Sequence, residues 1–91
     1  MTAFIVGVFE GDVESWKERF LSDPLGRKQV AKGHTLLRGA DNPNQVFVRL
    51  EFDNIQDAKE FAEKVRGSNV LEGLNVVVPP TATELLDKAE Y

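Results

Sequence analysis

His34-Thr35-Leu36-Leu37-Arg38-Gly39-Ala40-Asp41-Asn42-Pro43-Asn44-Gln45-Val46-Phe47-Val48-Arg49-Leu50-Glu51-Phe52 reads as two strands and the turn between them. From Gln45 the chain alternates strictly. Val46, Val48, Leu50 and Phe52 fall on one face, and Gln45, Phe47, Arg49 and Glu51 on the other. A period of two is that of a strand with its apolar set against a core and its polar set turned away. Ala40 to Asn44 packs Asp, Asn, Pro and Asn into five positions, each residue type favouring a tight reversal for its own reason. His34–Gly39 and Gln45–Phe52 are therefore expected as an antiparallel hairpin.

Working outward, Asp53 or Asn54 can cap a helix whose Ile55, Ala58, Phe61, Ala62 and Val65 form one apolar stripe, with Gly67 at its end. Leu74 to Val78 reads as a strand closed by Pro79-Pro80. Upstream, Ala3 to Phe9 reads as a strand that is apolar on both faces. Asp12 caps a helix carrying Val13, Trp16, Phe20 and Leu21, which Ser22-Asp23-Pro24 stops. Leu25 to Lys32 is expected as a loop. Thr81-Ala82-Thr83-Glu84 fits a capping box for a short helix, and an extended arm is the alternative.

Strand, helix, strand, strand, helix, strand is a split βαβ order. With right-handed crossovers it predicts a ferredoxin-like α+β fold, a four-stranded antiparallel sheet with two helices on one face. The 91 residues make one domain, 1–91, with 79–91 a C-terminal arm or short helix. A chain this short buries only roughly 60–65% of the surface its unfolded form exposes, so burial against a second chain is attractive.

Composition removes several functions. There is no cysteine, which excludes disulfides, thiolate metal sites and iron–sulfur clusters. With one histidine as well, no metal and no other cofactor is expected. A net charge of −4 argues against nucleic acid. The first residues lack the basic stretch of a signal peptide, and no run approaches the ~20 apolar residues of a membrane span. A cytoplasmic protein without membrane contact is the expectation. One local exception is the stretch from Lys17 to Arg38, with six basic residues, Lys17, Arg19, Arg27, Lys28, Lys32 and Arg38, against Glu18 and Asp23. It reads as a solvated face or as an anion-facing rim.

Two helices cover one sheet face and leave the other bare. Phe47 and one set of Ala3–Phe9 would then be exposed, more apolar surface than a monomer usually tolerates. A homodimer, sheet against sheet, is the economical solution. On that open face a candidate site can be drawn. If Ala40 lies opposite Gln45, then Arg38 faces Phe47, Leu36 faces Arg49, and His34 faces Glu51. A carboxylate beside an imidazole would orient it and raise its basicity, with His34 and Glu51 as catalytic residues. Arg38, Arg49 and Phe47 would hold the substrate. Cross-strand charge pairing within a dimer interface accounts for the same residues, and a one-residue slip would reverse the faces.

The segment His34–Asp53, followed by Asp57-Ala58-Lys59-Glu60-Phe61, resembles small bacterial proteins of the dimeric α+β barrel superfamily, which includes antibiotic-biosynthesis monooxygenase-like and polyketide-cyclase-like members. The resemblance implies a sheet-to-sheet dimer, with a pocket between sheet and helices or at the barrel centre. It carries no catalytic set. Two functions are expected from it: a cofactor-independent monooxygenase- or cyclase-like enzyme acting on a small aromatic or polyketide-like molecule, or a non-catalytic ligand-binding or interaction module.

Overall fold

A computed structural model describes residues 2–91. The elements run β1 (Ala3–Glu10), α1 (Val13–Leu21), α2 (Arg27–Val30), β2 (Gly33–Arg38), β3 (Gln45–Phe52), α3 (Ile55–Arg66) and β4 (Asn75–Glu84). The strands form one sheet in the order β2-β3-β1-β4, with every neighbouring pair antiparallel. This is the ferredoxin-like α+β fold that the element order predicts. The one-turn α2 lies in the stretch expected as a loop.

Local chemistry sets the helix starts. The Asp12 carboxylate accepts from the backbone N–H of Glu14 at 3.1 Å and of Ser15 at 3.3 Å. The Asn54 side chain accepts from the N–H of Asp57 at 2.8 Å and so opens α3. Each cap satisfies N–H groups that the first turn would otherwise leave unpaired. From α3 the stripe Ala58, Phe61 and Ala62 is buried, and from α1 Trp16. They pack on Ala3, Ile5 and Phe9 of β1 and on Val46, Val48, Leu50 and Phe52 of β3. The alternation in Gln45–Phe52 thus puts its apolar set inward, as read from the sequence.

The hairpin register differs from the expected one by a residue. Gly39, not Ala40, pairs with Gln45: its N–H donates to the Gln45 carbonyl at 2.9 Å. Leu36 then faces Val48, His34 faces Leu50, and Arg38 faces Val46. Two causes act together. The Asn42 carbonyl accepts from Gln45 N–H at 3.0 Å, and its side chain accepts from Asn44 N–H at 3.1 Å, which closes a loop of Ala40 to Asn44. That register also turns Leu36 toward the core and leaves Leu37 outside.

The chain end differs too. Pro79-Pro80 does not close β4, which lies at the sheet edge, where a residue without an N–H is tolerated. Irregularities flanking Val8 absorb the mismatch, and Thr81–Glu84 pair with Ala3–Val6. The capping-box helix does not form, because the unpaired edge of β1 offers these residues a ladder. Residues 85–91 have no regular structure.

Candidate functional site

The register separates the residues expected to form one site. His34 and Arg38 lie on the helix-covered side of the sheet, in line with Leu36. Phe47, Arg49 and Glu51 lie on the open side, opposite Leu37, Thr35 and Gly33. The His34–Glu51 pair is therefore not formed, because a strand's side chains alternate and one residue of slip moves a whole set through the sheet. The Arg38 guanidinium instead donates to Glu14 at 2.9 Å across to α1. Arg49 lies over the Phe4 ring at 5.3 Å, and Glu51 sits 3.8 Å from the Lys32 ammonium. The first is a cross-strand contact on the open face, and the second ties β3 to the residue just before β2.

His34 meets Phe20 edge-on, ring centres 5.0 Å apart. Its pKa is lowered, first by desolvation, then by the charges of Arg27 and Lys28. That is the reverse of the raised basicity expected beside a carboxylate, so the imidazole is held neutral near pH 7. Among the described residues no three His, Cys, Asp or Glu side chains converge as a metal site would need.

A cavity of about 100 Å³ lies elsewhere, between the sheet and the helices. Ile5, Gly7, Val48 and Leu50 form its floor, and Trp16 and Phe20 one wall. Gly7 matters here. A Cβ at this position would come within 3.1 Å of the Phe9 ring, so its absence lets that ring lie flat along the strand. Phe9, Trp16 and Phe20 then stack in sequence, with centroids 5.9 and 5.0 Å apart and planes 26° and 17° from parallel. Val70 and Leu71 of the loop after α3 close one side. Arg19 straps that loop down by donating to the carbonyls of Val70 and Glu72 at 3.1 and 3.2 Å.

Of the three charged residues in this lining, Arg19, Asp23 and Arg27, only Arg27 is buried. Arg27, on α2, is 5% exposed. Asp23, in a left-handed conformation with φ 56°, places its carboxylate to accept from the N–H of Arg27 at 2.6 Å and of Lys28 at 3.2 Å. The Arg27 guanidinium lies 4.0 Å over the Phe20 ring, and its Nη1 donates to the Phe20 carbonyl at 3.3 Å. Asp23 Oδ1 is 3.9 Å from Nη1, an ion pair without a hydrogen bond. Nη2 is sealed from water and has no partner. Buried guanidinium nitrogens are rarely left so, since an unmade bond to a charged group costs about 1–3 kcal/mol or more. Sequence reasoning did not single out Arg27. The signal for it was the basic excess between Lys17 and Arg38 read as an anion-facing rim, of which Arg27 is the one member that folds inward.

No family model and no curated protein sequence matches this chain. A solved structure does. A protein of Deinococcus radiodurans described as a "putative antibiotic biosynthesis monooxygenase" superposes with a TM-score of 0.68 over 100% of this chain and 98% of its own, at 14% identity. The chain therefore shares the overall fold of that protein.

Proposed function

We propose that this protein binds a small, largely apolar molecule in the cavity between sheet and helices, as a cofactor-independent monooxygenase- or cyclase-like enzyme would hold its substrate. The observation that carries this reading is the cavity itself: a stacked aromatic wall, an aliphatic floor and a single buried cation. A concave apolar site with few polar groups is the usual form of a small-molecule site. The shared fold supports the reading without choosing a reaction. One observation favours a binding module over an enzyme: His34 and Glu51 stand on opposite sides of the sheet, so no imidazole–carboxylate pair serves the cavity.

Trp16 is the single tryptophan and lines the cavity, so its emission reports occupancy. Single-ring aromatic compounds should change that emission saturably. Val65→Phe, which fills the space from α3, should abolish the response while far-ultraviolet circular dichroism stays native. A wild-type protein whose emission and melting temperature ignore every such compound would overturn the reading. Oxygen uptake or product formation with a bound compound would then separate enzyme from module.

We also infer that the open sheet face pairs with a second copy of the chain. Leu37, Phe47 and Val78 are exposed there in one row with the half-buried Val8. Arg49 and Glu51, of opposite sign, lie beside that row, so a twofold contact can set one against the other.

A further inference from the structure

The geometry points to a gate: residues 68–74, the loop after α3, are a lid over the cavity, and Arg19 of α1 is the latch that holds it shut. This rests on the cavity being a ligand site and concerns how a ligand enters it. Size raises the question. The cavity of about 100 Å³ is smaller than the roughly 150 Å³ that holds a dry benzene. A single aromatic ring therefore enters and stays only if one wall yields.

The walls differ in how they are held. The floor belongs to β1 and β3 and is fixed by the ladder between them. Trp16 and Phe20 are carried by α1 and stack with Phe9. The end of α3 is clamped to β4, where Arg66 Nε and Nη2 donate to the Pro80 carbonyl at 3.3 and 3.1 Å. Val70 and Leu71 are held otherwise. The backbone bonds donated by Ser68, Glu72 and Leu74 go to Val65, Asn69 and Leu71, so they stay within 65–74. Among the described residues, the hydrogen bonds that tie 68–74 to another element are the two from Arg19 Nη1, to the carbonyls of Val70 and Glu72. Leu71 and Leu74 rest on the core without being fully buried in it. Arg19 is exposed, so water can replace either carbonyl, and a surface contact of this kind opens readily. At the far end Gly73 has φ 84° and no neighbouring group within 4 Å of where a Cβ would stand, which lets the chain pivot there. Releasing one guanidinium thus frees residues 68–74, and lifting Val70 and Leu71 opens the cavity beside Trp16.

Hydrogen exchange and Trp16 quenching read the lid without any ligand. In the full chain at pH 7, Arg19→Met should raise amide exchange across 68–74 about fivefold or more and leave β1, β3 and α3 unchanged. Acrylamide quenching of Trp16, which is buried in the wild type, should rise about twofold or more, and Arg19→Lys should restore part of both effects. Fluorobenzene, a neutral single ring followed by fluorine NMR, then reads passage. Its association and dissociation rates should both rise about fivefold in Arg19→Met while Kd stays within about twofold, which a gate produces and a ligand contact does not. Unchanged exchange across 68–74 overturns the latch. Faster exchange spread through α1 and the sheet overturns it as well, because Arg19 then supports the fold as a whole. A weaker Kd with an unchanged association rate makes Arg19 a wall of the site and overturns the gate. A wild type that binds no fluorobenzene, with the loop responding as expected, overturns the cavity as a ligand site and leaves only a mobile loop.

Discussion

His34 shows how one side chain changes meaning with its neighbours. It stacks edge-on against Phe20 with Arg27 and Lys28 close by, and desolvation with those two charges lowers its pKa. The unfolded chain therefore takes up a proton at this site at a higher pH than the folded one does. Above the unfolded value, about 6.5, the imidazole is neutral in both states and folding suffers no penalty. As pH falls through that value the unfolded state is favoured. Between pH 7.5 and 5.5 the wild-type urea midpoint should thus drop more than that of His34→Gln. Parallel pH profiles for the two would show that burial and the two cations do not act on His34. The carboxylates titrate in both proteins and cancel in the comparison.

At the level of the element, the β2–β3 hairpin decides which residues share a face. Its loop depends on Gly39, where a Cβ would come within 2.6 Å of the Asn42 carbonyl oxygen. That oxygen is a backbone atom already bonded to Gln45 N–H, so it cannot move aside without opening the turn. Gly39→Ala should cost about 1–3 kcal/mol in urea unfolding, the usual range for forcing atoms into a packed site. An unchanged midpoint would mean that the loop relaxes freely, and the observed register would then owe nothing to it. The strand β4 makes a related point. Local signals at Thr81–Glu84 favour a helix start, yet the edge of β1 captures these residues as strand, because ladder bonds along four residues outweigh one cap worth about 1 kcal/mol.

For the molecule as a whole, the sheet has one face under helices and one without cover. The open row Leu37–Phe47–Val8–Val78 is flanked by Arg49 and Glu51. A twofold dimer through this face predicts a solution mass of twice 10.2 kDa by light scattering, maintained on dilution into the low micromolar range. Leu37→Asp or Phe47→Asp should convert it to a monomer that keeps its circular dichroism, since both side chains are exposed in the single chain. A wild-type monomer at micromolar concentration would end the proposal.

The first three strands, β4 as far as Val78, the two long helices, their caps and the inward set Val46, Val48, Leu50 and Phe52 were legible in the chain itself. They rest on local causes, a side-chain period of two or 3.6 and short-range hydrogen bonds from Asp12 and Asn54. The absence of cysteine and the acidic balance likewise belong to the sequence alone. The site was not legible. His34 and Glu51 are compatible with pairing at one hairpin register and separated at the next, and what selects the register is the Asn42-centred loop together with burial of Leu36. Arg27 was one of six basic residues between Lys17 and Arg38, and nothing local marks it as the buried one. Its place comes from Asp23 capping α2 and from Phe20 presenting both a ring and a carbonyl to it. Periodicity assigns a residue to a face, whereas the partner across that face is set by contacts between elements distant in the chain, and those exist only once the sheet and helices have packed.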